Sequence, residues 1–469
     1  MSRRILVLLL GVLALGAGLR LACMGAEFWL DEIWSWTLAH DAPSSLGVLA
    51  IRHDNSHPLN SLWLRLCPAT APLVVLRLPA LLAGLGAIVL AAYVARRRGV
   101  AESVFAALLV GGCSWTVLAS AEARGYALAV LFALAALEAL WRYLDGRSRA
   151  SLAAFWLLSV LGFLSHLTFV HAYIGFVVWS MRRFARERPD SLQQIRAMLL
   201  LHGPVAAFFA AYYLFAVRGM EVGGGPQTSV GDVLRGLIST GLGGPADAWG
   251  WPLVGVAAVL FVVGVSLVAN SEGDVWVFFA AAVVGSPALF LLRPPSLLFE
   301  RYFLIPFVFF LVLAALVLGH LWRRGSLRPL VLAMLVGFLV GNGLHIRAFV
   351  EAGRGEFGEA LALIDAHDDR EEVLVTGVQL ERPDEFRVGV YTAFYARRLS
   401  LSRVRYLSGK DGGDANWLLI HRAADHSRPD PGEIEVSGTA RFEPAWSFPS
   451  RGQAGWGWYV YRRTSAPPR

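Results

Sequence analysis

The sequence predicts an all-α polytopic membrane protein of about eleven transmembrane helices, followed by a small extracytoplasmic α/β domain. Three observations predict it. Hydrophobic residues make up 56% of the 469 and charged residues only 16%, against about 25% charge in soluble domains; mean hydropathy is +0.53. Apolar stretches close to the ~20 residues needed to cross ~30 Å of hydrocarbon recur from the N-terminus to residue 349. Arginine runs fall in alternate loops between those stretches, while acids and histidines fall in the others.

Taken in order, the spans lie near residues 5–25, 73–95, 101–119, 125–144, 151–165, 167–181, 197–216, 251–269, 275–293, 302–319 and 328–349. Arg3-Arg4 followed by an apolar run resembles a signal peptide, but no small-residue cleavage site precedes Glu27, so it reads as a retained first helix. Positive loop residues stay on the cytoplasmic side. Placing the N-terminus inside puts Arg3-Arg4, Arg96-Arg97-Arg98, Arg142 with Arg147 and Arg149, the run Arg182 to Arg196, and Arg323-Arg324 with Arg328 all inside. Only the Asn270 to Asp274 turn lacks them. The same threading puts 26–72, 120–124, 165–166, 217–250, 294–301 and everything after 349 outside a plasma (inner) membrane.

The domains expected are therefore a membrane domain over 1–349, with 26–72 as its first outer loop, and an extracytoplasmic domain over 350–469. In the latter, Glu356 to Ala366 and Val388 to Arg398 read as helices, and Glu372 to Val378, Trp417 to His421 and Trp458 to Tyr461 as strands. Its expected role is structural or acceptor-docking. Gly223-Gly224-Gly225-Pro226 reads either as a flexible cover or as a plain linker. The net charge of +7 is spread through loops rather than set on one face, so nucleic acid is not an expected partner. Cys23, Cys67 and Cys113 are scattered without metal-site spacing and read as structural.

The remaining ionisable groups gather on the outer side: Asp31-Glu32, His53-Asp54-Asn55 with His57, Glu122 with Arg124, His166, and Glu300-Arg301. Charges are costly in lipid, so a shared face points to a polar cavity at the outer membrane rim. Asp31-Glu32 sits in Phe28-Trp29-Leu30-Asp31-Glu32-Ile33-Trp34-Ser35-Trp36, where one acid is a candidate general base; interfacial loop acids are the alternative. His57, before Pro58-Leu59, is a candidate for donor phosphate or metal, against a solvent-facing residue at a helix start. Glu122-Ala123-Arg124-Gly125-Tyr126 opens a helix, whose N-terminal amides and Arg124 suit a phosphodiester; a Glu122–Arg124 rim pair is the alternative. Glu300-Arg301-Tyr302 offers a second cation or an interfacial anchor. His166 and His171 rank as packing residues before ligands.

In this order, Leu30-Asp31-Glu32, Asp54-Asn55-Ser56-His57-Pro58-Leu59, Arg77-Leu78-Pro79, Glu122-Ala123-Arg124-Gly125-Tyr126 and Arg301-Tyr302-Phe303-Leu304-Ile305-Pro306 resemble the GT-C glycosyltransferases. Within them the chain is similar to the family of protein O-mannosyltransferases and lipid A aminoarabinose transferases. The resemblance covers residues 1 to about 320. It implies a membrane glycosyltransferase that uses a polyprenyl-phosphate sugar donor and inverts the anomeric carbon, with a lipid, glycan or protein acceptor at the outer face. It further implies Asp31 as the base with Glu32 beside it, and Arg124, Arg301 and Tyr302 on the donor phosphate, supported by Glu122, His57 and Tyr126. A divalent metal is a cofactor some relatives use, and His57 and His166 are the residues here that it would engage. The competing reading is a transporter or flippase of lipid-linked glycans, which would place ionisable groups near mid-membrane and show paired broken helices.

Overall fold

The structure, a computed structural model, describes residues 3–188, 190–223, 228–271, 273–295, 297–378, 386–423, 432, 434–436, 440–448 and 456–464. Gly224, Gly225 and Pro226 of the glycine-rich stretch lie outside the described residues. The chain forms two compact units, one of Met1–Cys23, Ala42–Trp63 and Arg77–Ile346, the other of Met24–Asp41, Leu64–Leu76 and Arg347–Arg469. The expected boundary at 349/350 thus falls at 346/347, and two pieces of the 26–72 loop fold with the C-terminal unit.

Each of the eleven expected spans holds a helix. Among the described residues, seven helices are long and apolar enough to cross a membrane, or eight if the bent pair Val100–Gly112 and Ser114–Ser120 is one span. Arg149–Ser165 and Val275–Leu291 are apolar but shorter. The post of this unit is the Leu304–Arg323 helix, in which every residue from Leu304 to Gly319 is buried, as suits a helix apolar all round. The Arg3–Cys23 helix instead exposes Leu6, Val7, Leu8, Leu10 and Leu15, the surface a lipid-facing helix presents.

The chain bends by 62° at Cys113, and a break inside an apolar bundle frees backbone groups that need protein partners. They have them. The buried Arg20 guanidinium donates to Gly111 O at 3.0 Å and to Val110 O at 3.5 Å, and Thr116 Oγ1 donates to Val110 O at 2.6 Å. On the other side of the break the Ser114 amide donates to Asn342 Oδ1 at 2.6 Å, and Asn342 Nδ2 donates to Phe338 O and Gly241 O.

At the arginine-bearing ends of the helices, acids and arginines pair in several separate groups. Glu138 accepts from Arg97 at 2.8 Å and from Arg142 at 2.7 Å, Glu102 pairs with Arg323, and Arg147 pairs with Glu187. Asp274 accepts from Arg186 at 2.6 Å, and Arg98 donates to Leu267 O. The one turn without arginine of its own is therefore closed by arginines from another helix.

The C-terminal unit is built on a six-stranded mixed sheet: β1 (Val373–Val378), β2 (Val404–Tyr406), β3 (Trp417–Ala423), β4 (Ile434–Val436), β5 (Ala440–Phe448) and β6 (Trp456–Arg463). The order is β2-β1-β3-β6-β5-β4, with β1 parallel to both β2 and β3 and the remaining pairs antiparallel. Helices Phe357–His367 and Phe386–Leu399 pack with it through rings: Phe357 lies 4.4 Å from Trp458 and Tyr391 4.8 Å, centroid to centroid. Strands β2, β4 and β5 were not expected. β2 and β4 are only three residues long, and β5 alternates imperfectly around a register shift between Pro444 and Trp446.

We predict that Arg20→Met, which keeps an unbranched stem but no donors, destabilises the protein in detergent by about 1–3 kcal/mol for each carbonyl it strands. Thermal unfolding checks this; a loss below about 0.5 kcal/mol, the range of ordinary surface changes, would mean the break is held without the guanidinium.

Candidate functional site

In the membrane unit, the short turn before helix Tyr126–Gly146 is fixed first. Asn60 Nδ2 donates to Ala123 O at 2.5 Å and the Arg124 amide to Glu122 O at 2.8 Å. Gly125 abuts the end of the neighbouring helix so closely that a Cβ would lie 1.8 Å from Ser165 O. The helix begins at Tyr126 with Gly125 as its N-cap, so Arg124 stands in the turn just before it. Glu122 is buried beside it.

Arg124 is buried, with Nη2 donating to Asn55 Oδ1 at 2.9 Å and Nε to His57 Nε2 at 3.2 Å. That bond places the His57 proton on Nδ1. His57 is itself fully buried, so the solvent-facing alternative does not hold. Its ring stacks on His166 at 4.8 Å, and His166 lies 4.0 Å from the Tyr126 ring. Burial is the largest influence on both imidazoles; the charges of Arg124 and Arg301 act in the same direction, and both pKa values fall well below the usual histidine range. Both rings are neutral at physiological pH. The two arginines therefore share one electrostatic neighbourhood with this histidine pair.

Arg301 and Tyr302 belong to a short turn, Glu300–Phe303, that leads into the buried Leu304–Arg323 helix. Arg301 lies over the Phe299 ring at 4.3 Å. Tyr302 interacts electrostatically with Tyr126, Arg301, Arg124 and Asp54, which draws it into the same group. Burial pushes the Asp54 carboxyl up, but hydrogen bonds from His53 and the Gly223 amide, with the charge of Arg124, bring it below the usual range. It is ionised. Sequence reasoning placed Asp54 and Asn55 at the outer polar face without giving either a role, and it missed Asn60. The available signal was their place within two or three residues of His57.

Among the described residues no three His, Cys, Asp or Glu side chains gather as metal ligands. One nitrogen of His57 already faces Arg124, and His166 Nδ1 accepts from the Thr168 amide at 3.1 Å. These residues, as arranged, do not fit a divalent metal. His171 is a packing residue, 2.5 Å from Ser286 Oγ and set against Phe290 and Phe303.

Asp31 and Glu32 lie in the C-terminal unit, in the first turn of a helix, Leu30–Asp41. Glu32 is fully buried whereas Asp31 is half-buried, so Asp31 alone keeps a face open to another molecule. The Tyr391 phenol donates nothing to Leu30 but accepts its amide at 2.8 Å. Burial, with the Asp31 charge, pushes that phenol above its usual range, while Arg354 and Arg387 act the other way; it stays protonated. Arg354 also covers the Trp29 ring at 4.9 Å. Both arginines were missed, because neither belongs to a motif.

The fold is similar to that of ArnT from Cupriavidus metallidurans in the apo state, at 14% identity and a TM-score of 0.52 over 92% of this chain and 93% of that one. It is equally similar to ArnT from that organism bound to undecaprenyl phosphate, at 14% identity and a TM-score of 0.53 over 98% of both chains. At that identity the likeness shows the fold, the ArnT-like fold of membrane-spanning helices with a small C-terminal sheet unit that the motifs implied. No known sequence family and no curated protein sequence matches the chain.

One carboxyl just before the Leu30–Asp41 helix titrates far from its usual range. Burial raises Glu27 to about 7, against hydrogen bonds from the Gly358 and Glu359 amides and Tyr395, while nearby Glu356 adds to the rise. Below about pH 4.5 the group is protonated folded or unfolded. Between there and pH 7 the folded state holds a proton the unfolded state releases, so its contribution to stability is lost as pH rises. We predict that Glu27→Gln removes up to about 3 kcal/mol of pH dependence over this window. Unfolding of both proteins from pH 4.5 to 7.5 checks this, and parallel curves would reject the shift.

Proposed function

We propose that this chain is an integral membrane glycosyltransferase that moves a sugar from a polyprenyl-phosphate donor to an acceptor nucleophile at the extracytoplasmic face, with inversion. The observation that carries this reading is the clustering of Arg124, Arg301 and Tyr302 around two neutral imidazoles. The whole-chain likeness to an ArnT structure bound to undecaprenyl phosphate supports it. The N-terminus is cytoplasmic and the C-terminal domain extracytoplasmic in this reading, following the arginine loops.

Arg124, Arg301 and Tyr302 hold the donor phosphate, with His57, Tyr126 and Glu122 shaping the turn that carries Arg124. His57, neutral, accepts from the Arg124 guanidinium and so orients it, and His166 stacks on that imidazole. Asp31 removes the proton from the acceptor hydroxyl as its oxygen bonds to the anomeric carbon. The bond from that carbon to the phosphate oxygen breaks with its electron pair, and polyprenyl phosphate leaves as an anion. Arginines facing that developing charge lower the barrier, and a stabilised phosphate needs no general acid. Glu32, buried, shapes the helix that presents Asp31. Acceptors in reach of this chemistry are a lipid, a glycan or a protein.

Two substitutions test the assignments. Asp31→Asn should lower transfer by about 10²–10⁴-fold, the usual contribution of a general base. The readout is mass spectrometry of lipid-linked sugars and envelope glycans in a deletion strain carrying the variant; wild-type levels would remove Asp31 from the chemistry. Arg124→Ala should weaken binding of undecaprenyl phosphate by roughly 10–100-fold, as expected for a lost charged hydrogen bond. An unchanged lipid affinity of the purified variant would take Arg124 out of the phosphate site.

A further inference from the structure

The segment Glu27 to Asp31 is folded by residues more than 300 positions away. The Gly358 amide donates to Glu27 Oε2 at 2.8 Å, and the Glu359 amide bonds the same carboxyl. These are the second and third residues of helix Phe357–His367, whose own N-cap, Glu356, makes no side-chain cap bond. Glu27 caps that helix from a distance, and Gly358 is glycine because a Cβ would sit 2.6 Å from the Glu27 carboxyl. In the next residue, Phe28 O accepts from the Tyr395 hydroxyl at 2.9 Å, and the Phe28 ring stacks on Phe394 at 5.6 Å and 4°.

The reciprocal bond comes two residues later. Leu30 opens the Leu30–Asp41 helix, so its amide is one of the donors a helix start leaves without an internal partner. Tyr391 Oη accepts it at 2.8 Å. Further along, Trp36 meets the edge of Phe394 at 5.5 Å and donates through Nε1 to Cys67 O at 3.0 Å. Arg398 closes the other piece of the loop by donating to Ala69 O at 2.6 Å and Ala71 O at 2.9 Å.

Tyr391, Phe394, Tyr395 and Arg398 follow the i, i+3, i+4, i+7 spacing of a single helix face. That face of the Phe386–Leu399 helix meets both loop pieces. Aromatic packing alone would need only rings, yet two phenol hydroxyls are spent on the backbone of the residues immediately before Asp31. Asp31 follows Leu30 directly, so the direction of its side chain is set by the start of the helix that Tyr391 fixes.

We propose that the C-terminal α/β domain orients the Asp31 carboxylate, with Tyr391, Tyr395 and Glu27 as positioning residues. This rests on the reading of Asp31 as the base, and it deepens that reading by giving the domain a part in the same site. Tyr391→Phe keeps the ring and loses its bond to the Leu30 amide, and Tyr395→Phe keeps the ring and loses its contacts to Phe28 O and the Glu27 carboxyl, so they test it in the full-length protein.

Three measurements are made on each variant. Amide hydrogen exchange over Phe28 to Glu32 should quicken about fivefold, the effect of a typical lost cap. Transfer in the complemented deletion strain should fall about tenfold, the effect of a small misplacement of a reacting group. Binding of undecaprenyl phosphate alone should stay within about twofold of wild type, since that lipid is assigned to residues of the membrane unit. Wild-type transfer by both variants beside an inactive Asp31→Asn overturns the positioning role and leaves the functional reading standing. Wild-type transfer by Asp31→Asn overturns the functional reading, and the positioning role with it. Lipid affinity lost in step with transfer also overturns it, because a general loss of fold then accounts for both.

Discussion

A bilayer offers no water, so every backbone group at membrane depth must find its partner within the protein. That constraint organises the membrane unit. Most of the unit meets it with intact helices, and the break at Cys113 meets it with side chains, Arg20 and Thr116 on one side and Asn342 on the other. An arginine inside the bundle is expensive unless its donors are used, and Arg20 spends them on the carbonyls of Gly16, Gly111 and Val110. It is a component of the scaffold, buried in the last turn of the Arg3–Cys23 helix.

The same economy operates at the helix ends with opposite results. At the arginine-rich end, acids such as Glu102, Glu138 and Asp274 are buried against guanidinium groups, so charge is consumed within the protein. Around Arg124, the Asn55 amide oxygen and the neutral His57 imidazole accept from the guanidinium. Two further groups, Arg301 and Tyr302, come into the same field. A low-dielectric setting strengthens the attraction of such guanidinium groups for an anion.

Much of this was readable from residue patterns, because hydropathy and loop arginines report the same constraint that builds the bundle. The helices over 251–269 and 304–323 needed no tertiary information, and the motifs at Asp54 to Leu59 and Glu122 to Tyr126 flagged the turn that carries Arg124. Where reading failed, local sequence did not carry the cause. Asn55 and Asp54 have no distinguishing chemistry until Arg124 and Gly223 are brought to them. The strands β2 and β4 are too short to show a period of two. Nothing beside Arg20 in sequence marks the carbonyls of Val110 and Gly111 that it serves.

The placing of Asp31 is the clearest case of a cause that lies far along the chain. Residues 26–72 look like a loop of the membrane domain because they connect two of its spans, but connection is not packing. A twelve-residue helix such as Leu30–Asp41 is marginal on its own in water. Its order must come from what it packs against, which is the Phe386–Leu399 helix and its two tyrosines. The base candidate therefore acquires its geometry only once the last third of the chain has folded, and the small domain at the end of the sequence belongs to the description of the site near its beginning.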